Sequence, residues 1–180
     1  MRPLTEQESK TFFSKLAKYI GGNIKFLIDR GDQKFCFRLH KDRVYYVNQR
    51  LLGVASSLGR ERLISMGCCF GKFSKTRKFR LQITALDYLS QYAQNKIWIK
   101  PTVEQSLLYG NHVLKSGLAK ITDETEKFQG VVLYSVSELP LGFGITARST
   151  AECRTGTSAD IVAFNQADIG AYLRDESSLI

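Results

Sequence analysis

The sequence predicts an α+β protein in two parts: an N-terminal antiparallel sheet with packed helices over residues 1–94, then a mostly β unit over residues 95–180. Three observations carry this reading. In the first part Phe35, Phe37 and Leu39 alternate with Cys36 and Arg38, the two-residue period of a half-buried strand. In the second part the short apolar runs Gly130–Tyr134, Pro140–Gly144 and Ile161–Phe164 follow one another with turn residues between them. Charge also divides at the same place. Residues 1–94 hold 18 Lys and Arg against 7 Asp and Glu, and residues 95–180 hold 8 against 10, so the net charge of +9 belongs wholly to the first part.

Taken in order, Thr5 and Glu8 have the spacing of a capping box and start a helix at about residue 6. Phe12, Phe13, Leu16 and Ile20 share one side of it, and Gly21-Gly22 ends it. Ile24–Ile28 and Lys34–Leu39 read as strands joined across Arg30-Gly31-Asp32, and Arg43–Val47 continues the meander. A short helix over Asn48–Leu58 is stopped by Gly59, Leu63–Phe70 and Phe79–Ile83 are the next strands, and Thr84 with Asp87 caps a helix running to about Tyr92. The first part is thus a sheet of about five strands with helices on it. Gln94-Asn95 marks the boundary. Beyond it come a strand around Trp98, a helix over Val103–Tyr109 with Pro101 near its start, and a turn at Gly110.

Composition narrows the function classes. Hydrophobic content of 43% is that of a folded chain. No apolar run approaches the roughly 20 residues of a membrane-spanning helix, and Met1–Lys10 lacks the apolar segment of a signal peptide. Four cysteines without a Cys-x-x-Cys pair, and only two histidines, argue against zinc and for reduced thiols. The cationic first part points to a polyanion, although basic residues can also serve solubility alone. Its densest stretch is Gly71–Arg80, where Lys72, Lys75, Arg77, Lys78 and Arg80 are interleaved with Phe73 and Phe79. Such a hairpin suits phosphates, and its two rings either pack inward or stack on bases. The run also has the look of a nuclear-import signal. It is not a P-loop, since Gly71-Lys72 lacks both the preceding glycine and the adjacent Ser or Thr. There is no Gly-x-Gly-x-x-Gly loop, and Cys68-Cys69 has no histidine near it in sequence, so no enzyme and no cofactor are expected.

The order strand, Pro-started helix, Gly turn, strand over Lys96–Gly117, followed by the three later strands, resembles a PUA domain, a small β pseudo-barrel that binds RNA. Carried over by position, its RNA-facing groove implies Tyr109, Gly110, Asn111, His112 and Lys115 from the glycine-bearing turn, and Phe143, Gly144, Ala147 and Arg148 from the later strand. The runs MRPLTEQE, CFRLHKDRVYYV, GKFSKTRKFRLQITALDYL, IWIKP, EQSLLYGNHVLKSGL, PLGFG and QADIGAYLRDE, in this order, resemble the Nip-seven family of large-subunit (60S) ribosome-biogenesis factors. The resemblance implies a non-enzymatic protein of the nucleus and nucleolus. Its implied partners are pre-rRNA, pre-60S ribosomal particles and other nucleolar assembly factors, without a membrane and as a monomer. A protein-interaction adaptor within those particles, or an accessory subunit of an RNA-modifying enzyme, is the alternative.

Overall fold

The computed structural model describes residues 1–55, 57–59 and 61–179. The chain divides into two compact units, Met1–Ala85 with Ser177–Ile180, and Leu86–Glu176.

The first unit is built on four antiparallel strands in the order β1 (Phe35–His40), β2 (Arg43–Asn48), β3 (Cys68–Phe73) and β4 (Phe79–Leu81). Helix α1 (Glu6–Ile20) starts at the Thr5 capping box: the Glu8 N–H donates to Thr5 Oγ1, and the Thr5 N–H donates back to Glu8 Oε2. The helix lies on the inner sheet face through Phe12. That ring sits 4.8 Å from Phe37, 5.0 Å from Phe79 and 6.2 Å from Phe70. Phe12 and Phe70 are both fully buried. Tyr46 belongs to the same face, 5.7 Å from Phe70, and its hydroxyl donates to the Leu27 carbonyl at 2.6 Å. Rings of this size bury ~150–250 Å² each, and their edge-to-face pairs add directional stabilisation.

Phe70 can join this cluster because β3 carries a bulge. Val44 faces Gly71 and Tyr45 faces Cys69, so Phe70 is an extra residue between them. An extra residue resets the inside–outside alternation. Cys69 therefore faces outward with Tyr45 and Val47, in a second apolar cluster closed by Met1, Leu52 and Met66, and Lys72 also faces outward.

Four expectations change here. Ile24–Ile28 is a helical turn, α2, and not a strand, so the sheet has four strands. Gly21–Asn23 form a 3-10 turn directly after α1 and hand the chain on in helical conformation. Only Leu27 of the five is buried; a run this short has too few residues for its period to be read. The predicted strand Leu63–Phe70 begins only at Cys68, because the Leu63 carbonyl is taken by His40 Nε2 at 2.8 Å rather than by a strand partner. The helix expected over Asn48–Leu58 is α3 (Gln49–Ala55); position 56 of that expectation lies outside the described residues. Thr84, expected as a cap, instead donates its hydroxyl to the Cys69 carbonyl.

The second unit opens with α4 (Leu86–Tyr92), which the sequence reading assigned to the first domain. Leu86 and Leu89 are buried, and the Ser90 carbonyl accepts from the Tyr134 hydroxyl at 2.7 Å. Its sheet runs in the order β6 (Val113–Leu114), β10 (Ile161–Asp168), β9 (Pro140–Thr146), β8 (Gly130–Ser135), β5 (Lys96–Ile99), β7 (Leu118–Ile121), a near-barrel in which only the β5–β8 pair is parallel. The core holds Ile97, Ile99, Val131, Leu133 and Val162, all fully buried, with Leu107 from α5 (Pro101–Leu108). Pro101 stands in the first turn of α5, where its missing N–H leaves no bond unmade. A helix that the sequence reading passed over, α6 (Thr150–Thr155), has its own capping box between Ser149 and Glu152. The run PLGFG has a packing cause. A Cβ at Gly144 would stand 2.2 Å from the Phe164 carbonyl oxygen, and one at Gly142 would stand 2.4 Å from that of Ala167. These glycines let β9 and β10 pair at close range.

Two outcomes follow for stability. Glu8 is buried and receives both guanidinium N–H groups of Arg2 at 2.8 Å; these bonds hold its carboxyl at a pKa of about 2. A carboxyl with a lowered folded pKa stabilises the fold above its unfolded value, about 4.3, and loses that contribution as pH falls toward 2. Glu8→Gln is expected to cost ~1–3 kcal/mol at neutral pH and to flatten the acid limb between about pH 4.5 and 2, measured by urea unfolding across a pH series. Gly144→Ala is expected to lower stability by ~1–3 kcal/mol, the usual cost of overpacking; a melting temperature equal to that of the parent would contradict the close approach of β9 and β10.

Candidate nucleic-acid interface

Two places bring the predicted residues together, one in each unit. In the first unit, β3 and β4 form a hairpin whose turn closes by the Ser74 N–H donating to the Lys78 carbonyl at 2.9 Å and the Arg77 N–H to the Ser74 carbonyl. Lys72, Lys75, Arg77, Lys78 and Arg80 are all exposed. Lys75, Arg77 and Lys78 stand in the turn, whereas Lys72 and Arg80 are directly opposed on the two strands. Arg77 adopts positive φ (59°) and reaches Glu8 Oε1 at 3.4 Å, sharing that carboxylate with Arg2. Phe73 and Phe79 are buried against each other at 5.1 Å, with Phe79 on Phe12. Of their two open readings, packing inward is the one found; the bases of a bound strand have no access to them.

In the second unit the glycine turn forms a corner between the end of α5 and β10. Tyr109 closes the helix and is 69% exposed. Gly110 turns with φ 92°, a conformation L side chains rarely adopt, and its N–H donates to the Leu107 carbonyl. Asn111 Nδ2 donates to Ser106 Oγ at 3.1 Å. His112 is exposed, and its Nδ1 accepts the Asn165 N–H at 3.3 Å, which leaves Nε2 as the ring's free nitrogen. The imidazole meets Phe164 edge-on, with centroids 5.3 Å apart and planes at 88°.

Two residues at this corner escaped the sequence reading. Phe164, part of a strand in the sequence analysis, is 38% exposed, and its ring lies beside His112. Arg174, in α7 (Ala171–Arg174), is held by the buried Asp168 carboxylate at 3.0 Å and 3.1 Å, and its guanidinium comes within 3.8 Å of where a Gly110 Cβ would stand. Asp168 also receives the Gly170 N–H and Asn165 Nδ2, so the carboxylate is anchored on three sides. The signal was present in the run DIGAYLR, an acid and a base placed either side of a glycine.

The other carried-over residues are placed differently. Lys115 Nζ donates to the Arg154 and Gly156 carbonyls, and Arg148 pairs with Asp160 at 3.0 Å, so both cations are engaged within the protein. The Ala147 N–H bonds to the Val162 carbonyl. Phe143 is a correction: it is 1% exposed, standing opposite Val132 on the sheet face away from Val131 and Leu133, and that face is covered as well, so its ring offers no face to a ligand. Gly144 is likewise closed over by β10.

Burial pushes the Cys69 thiol above its usual range, the opposite of what a thiolate nucleophile needs. The four cysteines are thiols and form no disulfide, and among the described residues no three His, Cys, Asp or Glu side chains gather as a metal site. No helix among them is long and apolar enough to cross a membrane.

Comparison with known proteins bears on both units. Residues 1–83 match the NIP7/UPF0113 pre-PUA domain, and residues 95–177 match the UPF0113 PUA domain. The chain is 60% identical over 179 residues to proteins named 60S ribosome subunit biogenesis protein NIP7 homolog from Tetraodon nigroviridis and Xenopus tropicalis, covering 99% of each chain. The pig homologue is 59% identical over the same span. Among solved structures, a protein from Pyrococcus horikoshii has a TM-score of 0.63 at 12% identity and 99% coverage of both chains. A PUA-domain protein from Aeropyrum pernix has a TM-score of 0.62 at 10% identity, covering 99% of this chain and 90% of that one. At such identities these two structures speak for the fold. With matches over both units and across nearly its whole length, the chain belongs to the NIP7/UPF0113 family, a pre-PUA domain followed by a PUA domain.

Proposed function

We propose that this protein is a non-enzymatic RNA-binding factor that takes part in pre-rRNA processing and large (60S) subunit biogenesis, acting in the nucleolus as a monomer within pre-60S particles. The assembly role rests on the relatives, which carry that name at 58–60% identity over 99% of their length. The observation that carries RNA contact is the Gly110 corner. It sets an exposed Tyr109, the His112–Phe164 pair and the anchored Arg174 around a turn with no side chain of its own. An exposed ring is a stacking platform for an unpaired base, and a guanidinium held by a buried carboxylate is an oriented donor for phosphate or base edges. Lys115 and Arg148 contribute less, because a ligand would first have to compete with their internal partners. The corner therefore reads shape and single strands, and the exposed hairpin cations supply attraction.

A second reading, an adaptor that binds protein, is favoured by one observation. Leu51 and Val54 on α3, with Leu58 and Ile64 after it, are 51–71% exposed. Such apolar surface suits a protein partner.

A salt series with single-stranded RNA and a duplex of equal length separates the two. The RNA reading expects salt-sensitive binding that prefers the single strand; absence of binding at low salt supports the adaptor. Tyr109→Ala and Phe164→Ala are each expected to weaken single-strand binding by ~1–3 kcal/mol, the usual worth of a stacked base, with the salt slope unchanged. Lys75→Gln with Lys78→Gln is expected to leave strand preference intact and lower the slope of log K against log salt by ~0.7 for each phosphate that is no longer neutralised.

A further inference from the structure

The register of the first sheet lines up three cations. Arg43 of β2 is directly opposite Lys72 of β3, and Lys72 is directly opposite Arg80 of β4. By the two-residue alternation, all three belong to the outer face, the one with Tyr45 and Val47 and away from α1. Arg38, opposite Tyr45, belongs to that face as well. The bulge at Phe70 is what makes this row. If the same residues ran as a regular strand without the bulge, one that sends Cys69 outward would send Lys72 inward.

Like charges directly opposed across a sheet destabilise it. Neighbouring strands lie ~4.8 Å apart, so the row packs three such groups into about 10 Å. Lys72, in the middle, has a cation on either side. No ion pair within 4 Å involves Lys72 or Arg80 among the described residues, and both are exposed. Arg43 is oriented by its donation to Gln82 Oε1 at 3.3 Å. The face offers no aromatic surface: Tyr45 is 2% exposed, and Phe73 and Phe79 lie on the opposite side of the sheet against α1.

We propose that the outer face of the first sheet, through the cross-strand row Arg43–Lys72–Arg80, is a docking surface for the phosphodiester backbone of RNA, gripping phosphates without reading bases. The charge row gives the occupant, since a line of cations matches a line of phosphates, and the missing stacking platform makes the contact blind to sequence. The proposal rests on the RNA-binding reading above and deepens it. It separates Lys72 and Arg80, on the strands, from Lys75, Arg77 and Lys78, at the turn, and adds Arg43 to them.

The repulsion within the row gives a test with two independent readouts on the full chain. Lys72→Gln with Arg80→Gln is compared with Lys75→Gln plus Lys78→Gln, using two single-stranded RNAs of unrelated sequence and thermal melting without RNA. The row variant is expected to lower the salt slope by ~1.4, two phosphates at ~0.7 each, equally on both RNAs. It is also expected to melt ~1–4 °C higher, because the opposed charges are relieved. An unchanged slope in the row variant beside a reduced slope in the turn variant overturns this inference and leaves the broader RNA reading standing; unchanged slopes in both overturn the electrostatic part of each. A lower melting temperature shows that the row stabilises the sheet and overturns the inference. So does tighter binding of the parent to polyglutamate than to RNA of equal charge, abolished in the row variant, which assigns the face to an acidic protein.

Discussion

Side-chain alternation across the first sheet is the constraint on which its other features depend. One face must be dry for α1 to pack, and the rings of Phe37, Phe70 and Phe79 around Phe12 keep it so. Once that face is fixed, the two-residue period fixes the other, and every cation on the strands is committed to one side or the other. The bulge at Phe70 is a local exception with a long reach: it supplies the aromatic core with one more ring and still returns Lys72 to the outside. Removing it would exchange the places of the core and the charges over the rest of β3. The buried face therefore decides where the cations stand, and sheet stability and charge placement are set by one register.

Acids are few in the first unit, and the buried ones hold arginines. Glu8 is shared by Arg2 and Arg77, and in the second unit Asp168 holds Arg174 and Asp160 holds Arg148. Exposed ion pairs contribute little to stability. Glu8 and Asp168 differ because the carboxylate is buried and receives several donors, so it orients its guanidinium while sitting out of reach of solvent. The consequence is directional. An arginine fixed from behind presents its remaining N–H groups to a ligand with less conformational entropy to lose than a free side chain. Arg174 gains most from this arrangement, since its partner is 3% exposed and its own guanidinium is open at the Gly110 corner.

Where the sequence was legible, a local chemical requirement had a single solution. The Thr5–Glu8 capping pair, Pro101 at the start of α5 and the glycine after Tyr109 each state their own structure. The alternation in β1 and the runs that became β8, β9 and β10 were legible for the same reason, being long enough to show their period. Ile24–Ile28 was not, because five residues fit both periods and the deciding fact is the 3-10 turn before them. Phe143 differs for another reason: position in a resembling motif does not say whether a strand is covered on one face or both, and here the face carrying Phe143 and Val132 is buried as well as the core face. Arg174 and Phe164 were missed because their importance lies in what the fold brings beside them. The Gly110 turn and β10 are about fifty residues apart in sequence and meet through the Asn165–His112 bond.

Under the proposed RNA reading, the two units carry different kinds of information about a nucleic acid. The first has excess charge, a hairpin of exposed cations and no fully exposed ring among its strand residues, so its proposed contribution grows with the number of phosphates it neutralises and fades with salt. The second has a net charge near zero, with exposed aromatic surface at a bare backbone turn, so its contribution depends on which bases can unstack and approach. A charged surface alone would bind any RNA, and a stacking corner alone would bind few sites at useful affinity. Dividing the tasks lets affinity and selectivity be set by separate residues. Changes to Lys72 or Lys75 are then free to tune attachment while the Gly110 corner keeps its geometry.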